Sequence, residues 1–158
     1  LSYENYFEWK ANINGVIVQL RTNVSHLYDF WVENWYPARF EADPEPHGII
    51  YAVDGIPGRE PHAFYNPETN TGILVNTDNY APLRSLALGL VIDVSEKLFN
   101  VHTVRGMSVG IDAGGLILIG PKGTEKDRAL LLFAPRQEVS PPFKRHCFCP
   151  LQRELSCR

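Results

Sequence analysis

"LILIGPKGTEKDRALLLF", residues 116–133, sets four apolar residues, a glycine-bearing loop and the start of a helix end to end. A strand that passes through such a loop into a helix has the layout of a phosphate-binding loop. Consecutive backbone N–H groups converge there on an anion, at a helix N-terminus whose dipole favours negative charge. The strict pattern is Gly, four free positions, then Gly-Lys-Ser/Thr. Gly120 and Lys126 meet it, whereas Glu125 stands at the second glycine and Asp127 at the hydroxyl. A buried strand handing over to a helix demands an α/β arrangement.

Upstream, "RGMSVGIDAGGLILIG" (105–120) reads as a hairpin turning at Asp112-Ala113-Gly114-Gly115. Before it, "APLRSLALGLVIDVSEKLFN" (81–100) carries Leu83, Leu86, Ala87, Leu90, Val91, Val94 and Leu98 on one helical face, with Pro82 near its first turn and Asn100 near its end. "HAFYNPETNTGILVNT" (62–77) predicts a hairpin whose polar turn runs from Asn66 to Gly72. The stretch 41–62 is turn-rich and broken by the short strand "GIIYAV" (48–53). Val24, Leu27, Tyr28, Trp31 and Trp35 recur at helical steps up to Pro37, with Asn23 and Ser25 as plausible caps, and "INGVIVQLRTN" (13–23) alternates like a half-buried strand. The aromatic stripe on that helix reads as a packing face rather than a ligand box.

These elements predict a mixed β-sheet with packed helices, of α/β (α+β) class. The hairpin 104–119 is expected in one sheet with strands 13–20 and 71–76, and helices 24–36 and 82–99 are expected on its faces. The last segment, 134–158, differs in kind: it holds four prolines and all three cysteines, Cys147, Cys149 and Cys157. Its composition predicts an irregular, disordered or frame-altered tail without strand or helix period. "HCFC" (146–149) is too closely spaced for a zinc knuckle, so tail cysteines are the expected reading.

Composition removes several classes of function. The chain has 158 residues, 44% hydrophobic and 21% charged, with a net charge of −3. That balance is globular, and no stripe of Lys and Arg interleaved with aromatics marks a nucleic-acid surface. No apolar run approaches the roughly 20 residues of a membrane span, and the first residues do not form a signal peptide. The expected location is cytoplasmic, and the absent initiator Met suggests a trimmed or partial N-terminus. The five histidines are dispersed, and no Gly-x-Ser-x-Gly is present. Asp54 and Asp78 close strands, where turn capping accounts for them.

The run "RGMSVGIDAGGLILIGPKGTEKDRALLL" (105–132) resembles the central motif of HPr kinase/phosphorylase and its relatives. In that family a His-Gly pair opens a strand, a short turn reverses it, and a buried strand enters the phosphate loop. Arg105-Gly106 falls at the pair, and His102 is a candidate shifted counterpart of the family histidine. The likeness covers about 101–133 at motif level and element order before that. It implies an HPr-kinase/phosphoenolpyruvate-carboxykinase-like core over 1–133, with the loop in 116–133, incomplete at its C-terminal side.

The resemblance also implies an ATP-dependent kinase or phosphotransferase that uses Mg²⁺. By position Gly120, Gly123 and Thr124 supply backbone donors, Lys126 contacts phosphate, and Asp127 stands at the metal position. The catalytic residues are unassigned. The acids that family members carry on a strand beyond the loop helix have no counterpart here, since the tail holds Glu138 and Glu154 without an apolar strand around either. The expectation is therefore a nucleotide-associated phosphotransferase domain, weak or inactive as this chain. The alternative is a non-catalytic structural or interaction domain that keeps the fold without nucleotide. A protein partner or homo-oligomer is compatible with either.

Overall fold

The computed structural model describes residues 6–38, 43–111, 114–120 and 146–150. The chain divides into two compact units, Leu1–Leu98 and Phe99–Arg158.

The first unit starts with a hairpin. β1 (Phe7–Ile13) and β2 (Val16–Thr22) pair antiparallel from Phe7↔Thr22 to Ile13↔Val16. Asn14 and Gly15 close the hairpin with φ of 58° and 90°, the left-handed conformations of a tight two-residue turn. The chain then forms α1 (Ser25–Asn34), the two-residue β3 (Tyr36–Pro37) and β4 (Gly48–Val53). β5 (His62–Asn66) and β6 (Thr71–Val75) make a second antiparallel hairpin, and α2 (Tyr80–Phe99) follows.

The strand order is β3-β1-β2-β4-β6-β5, with β2, β4 and β6 parallel in the middle. A central strand flanked on both edges reads as a continuous apolar run, and β2 behaves so: Val16, Ile17, Val18 and Leu20 are all buried. The register places Phe7, Leu20, Ile50 and Leu74 on one face, since paired residues point the same way. Both helices cover that face. From α1, Leu27 and Trp31 are fully buried and Tyr28 meets Phe7 at 5.3 Å between ring centroids. From α2, Leu83, Ala87, Leu90, Val91 and Val94 are buried. Each large side chain sealed there contributes roughly 1.5–3 kcal/mol, so the core lies between this face and the helix pair. Two glycines let α2 approach: a Cβ on Gly48 would stand 2.8 Å from the Leu90 methyls, and one on Gly72 would stand 2.9 Å from Leu86 Cδ2.

The second unit holds a separate three-stranded sheet in the order β8-β7-β9. β7 (Val101–Ile111) pairs antiparallel with β8 (Gly114–Ile119) and with β9 (His146–Pro150).

Several expectations are corrected. The hairpin forms as expected, but it is not hydrogen-bonded into the sheet with β2 and β6. β5 takes the outer side of β6, β3 that of β1, and β7 pairs with β9. The ladder closes to Ile111↔Gly114, so Gly114 and Gly115 are strand residues rather than turn residues. The helices expected on the faces of the sheet lie on the same one. Asn23 does not cap α1: Val24 is the N-cap, without a side-chain cap bond, because the Asn23 amide is committed to Asp54. Leu98, expected on the buried stripe, is 60% exposed. Within the tail expected to lack regular structure, His146–Pro150 runs as a strand along β7. Tertiary pairing overrides a weak local pattern there. The helix expected after the loop and the rest of the tail lie outside the described residues.

Candidate functional site

β8 is the strand that precedes the segment expected to form the loop. Ile117 and Leu118 are half-buried, Ile119 is 66% exposed and ends the strand, and half-buried Gly120 follows it. On the neighbouring strand Gly106 is buried and registers with Ile119. A Cβ on Gly106 would stand 2.8 Å from the Leu118 carbonyl oxygen. Real Cβ atoms do not approach so closely, so glycine sets the spacing of the two strands at this point. The register begins at Gly106↔Ile119, so Arg105 directly precedes that pair on β7 and Gly120 directly follows it after β8. Arg105 and Gly120 therefore flank the same end of one hairpin. His102 is three residues back on β7, opposite Cys149. Of the expected site residues, Gly120 is described; Gly123, Thr124, Lys126 and Asp127 lie outside the described residues, as does Glu125.

β9 is the described strand downstream of the loop. Its residues, His146, Cys147, Phe148, Cys149 and Pro150, include no carboxylate. Among the described residues no group of three or more His, Cys, Asp or Glu could hold a metal ion.

The polar loops after β2, β4 and β6 gather at the carboxyl ends of the parallel strands, where open α/β sheets commonly bind ligands. Their side chains hold the loops themselves. The Asn23 amide donates to the Asp54 carbonyl at 2.8 Å and accepts the Asp54 N–H at 2.9 Å. The Asn76 amide donates to the carbonyls of Ile56 and Arg59 and accepts the Ile56 N–H. His26 Nε2 donates to the Asp78 carbonyl at 2.6 Å. Sequence reading missed these Asn brackets, although an Asn just past a strand is the available signal.

A titratable group of three joins β5 to α2. Tyr65 donates to Asp93 Oδ2, Lys97 donates to the same oxygen, and Lys97 also donates to the Pro67 carbonyl at 2.8 Å. Burial first, then the hydrogen bond to Asp93, pushes the Tyr65 phenol well above its ordinary range. The Lys97 hydrogen bond first, then that of Tyr65, holds the Asp93 carboxyl below the usual carboxylate range. All three groups face one another, which is the arrangement of a lock rather than of a reactive centre.

Among the described residues these features define a mixed α/β protein, with a six-stranded mixed sheet, a separate three-stranded sheet and two helices. No helix among the described residues is long and apolar enough to cross a membrane. The chain matches no family model, and no curated protein matches it.

Proposed function

We propose that the chain is an HPr-kinase-like, nucleotide-associated phosphotransferase domain whose phosphate loop starts at Gly120, weak or inactive in this form. One observation carries the reading. An antiparallel hairpin, tightened at Gly106, closes its register at Gly106↔Ile119, directly before the glycine that opens "GPKGTEKD". Gly120, Gly123 and Thr124 would offer backbone donors to phosphate, and Lys126 would reach the outer phosphates. Asp127 would face Mg²⁺, which, when bound, neutralises charge on the transferring group. The donor set fits only in part. Glu125 adds a second carboxylate and a Cβ inside the anion cradle, where like charge opposes binding.

A specific observation favours the alternative, a domain that keeps the fold without catalysis: phosphoryl transfer needs acids to hold metal and orient the nucleophile, and β9 supplies none. Calorimetry with ATP–Mg²⁺ separates the two. Wild type binds weakly or not at all. Glu125→Gly with Asp127→Ser gains on the order of 1–3 kcal/mol by removing two carboxylates at a helix terminus. Adding Lys126→Ala abolishes that gain. A double replacement that binds no better than wild type transfers the assignment to the non-catalytic interaction domain.

A further inference from the structure

β5 is the outer strand of the six-stranded sheet and is hydrogen-bonded to β6 on its inner side. An outer edge presents a row of backbone N–H and C=O groups that fits another strand, and proteins ordinarily guard it with charge, an internal proline or a bulge. The opposite edge of this sheet is guarded, since β3 is two residues long and contains Pro37. β5 has no such guard. His-Ala-Phe-Tyr-Asn holds no Lys, Arg, Asp or Glu, and Pro61 and Pro67 stand just outside its ends. Its register with β6 runs unbroken from His62↔Val75 to Asn66↔Thr71, which excludes a bulge. The strand also carries apolar surface. Phe64 is 56% exposed beside its cross-strand partner Ile73, itself 39% exposed.

We propose that β5 pairs antiparallel with β5 of a second copy of this chain, about a two-fold axis at Phe64, joining two sheets into one. The strand's own order of residues selects this occupant over an arbitrary extended peptide. Pairing about Phe64 sets the two Phe64 rings opposite each other on one face, where paired aromatics add to strand association. On the other face Ala63 falls opposite Tyr65 of the second copy, so a small side chain meets a large one at both symmetric positions. Tyr65 is already held by Asp93 at 2.6 Å, so little side-chain freedom remains to be lost on pairing. His62 meets Asn66 of the second copy, a donor–acceptor match at each end. The contact is isologous and uses up both free β5 edges, so assembly stops at two. Beyond the prolines Glu60 nears Glu68 of the second copy, so added salt strengthens pairing by screening them.

A five-residue edge makes a small interface, so association is weak and must be followed up to roughly millimolar chain. In sedimentation velocity on the full chain, the weight-average mass should climb with concentration from 17.9 kDa toward twice that value. Phe64→Lys, at an exposed position, should abolish the rise. A second measurement holds even if that variant folds poorly. In a chain with its three cysteines changed to serine, Phe64→Cys should oxidise to a symmetric disulfide dimer, because directly opposed Cβ atoms lie about 4.5–5.5 Å apart. Tyr36→Cys on β3, 82% exposed, should remain monomeric. A wild-type mass that stays constant, or Phe64→Cys that cross-links no faster than Tyr36→Cys, overturns the proposal.

Discussion

Tyr65 donates a 2.6 Å hydrogen bond to Asp93 Oδ2, the oxygen that also accepts the Lys97 ammonium at 2.6 Å. The edge strand β5 is thereby tied to α2 by groups that titrate at opposite ends of the pH scale. The Asp93 carboxyl is depressed, so its contribution is present above the ordinary carboxylate value near 4 and is lost as pH falls through the lower folded value. The Tyr65 phenol is raised, so its contribution is present below about pH 10 and is lost as pH rises beyond that. Tyr65→Phe should cost about 0.5–1.5 kcal/mol at neutral pH, the scale of one buried hydrogen bond. The difference from wild type should shrink below about pH 4 and again above about pH 10. Urea unfolding of both proteins at acid, neutral and alkaline pH checks this. A pH-independent difference would show that packing of the ring, not the hydrogen bond, carries the effect.

Gly48 and Gly72 both admit α2 to the sheet, yet they should respond differently to a methyl group. A Cβ on Gly48 would meet the Asn70 carbonyl oxygen at 2.7 Å as well as both Leu90 methyls. The carbonyl belongs to backbone that donates no easy escape. A Cβ on Gly72 meets mainly the far end of the Leu86 side chain, which can rotate. Gly48→Ala should therefore cost about 2–3 kcal/mol and Gly72→Ala about 1 kcal/mol, within the range for overpacking. Equal losses in denaturant midpoint would contradict this ranking.

The β1–β2 turn offers a third test. Asn14 and Gly15 both hold positive φ, and Asn-Gly is the pair that suits a two-residue hairpin. Gly15 has open space around a would-be Cβ, so any penalty for Gly15→Ala is conformational rather than steric. It should cost about 1 kcal/mol, and Asn14→Gly should be close to neutral, because glycine adopts the same conformation freely. Thermal unfolding of the two variants distinguishes them.

That turn also shows where the sequence was readable and where it was not. Asn14-Gly15 is a strong local hairpin signal, yet the stretch 13–23 reads as a single strand unless "FEWKANI" before it is weighed as a partner. α2 was plain because its apolar positions recur over many turns, and Asn100, at φ 51°, ends it in the left-handed manner. The hairpin at 104–119 was plain because two apolar runs flank the stretch read as its turn, 112–115, although both glycines there prove to be strand residues. What was not legible is which strand lies beside which. Nothing local in "HCFCP" announces that His146–Pro150 will run along Val101–Arg105, and nothing in "GIIYAV" states that both helices will share its Ile50 face. Partner choice is set by long-range pairing, which no window of sequence contains. Of the pattern from Gly120 to Asp127, Gly120 follows β8 directly, and the residues after it lie outside the described ones.

The last prediction concerns Gly106, which connects the fold to the proposed loop. Its missing side chain lets β7 and β8 approach until the Leu118 carbonyl stands 2.8 Å from where a Cβ would be. Gly106→Ala must widen the hairpin near Ile119, one residue before Gly120. An anion cradle depends on the direction of its backbone N–H groups, so a shift at its first glycine should weaken phosphate binding even where the rest of the chain is undisturbed. In the Glu125→Gly/Asp127→Ser background, Gly106→Ala should cut ATP–Mg²⁺ affinity by about tenfold, or roughly 1.4 kcal/mol. Far-ultraviolet circular dichroism should show the six-stranded unit intact, since Gly106 belongs to the other unit. If affinity in calorimetry is unchanged while the hairpin demonstrably tolerates alanine, the spacing of β7 and β8 has no bearing on the loop, and Gly106 serves strand packing alone.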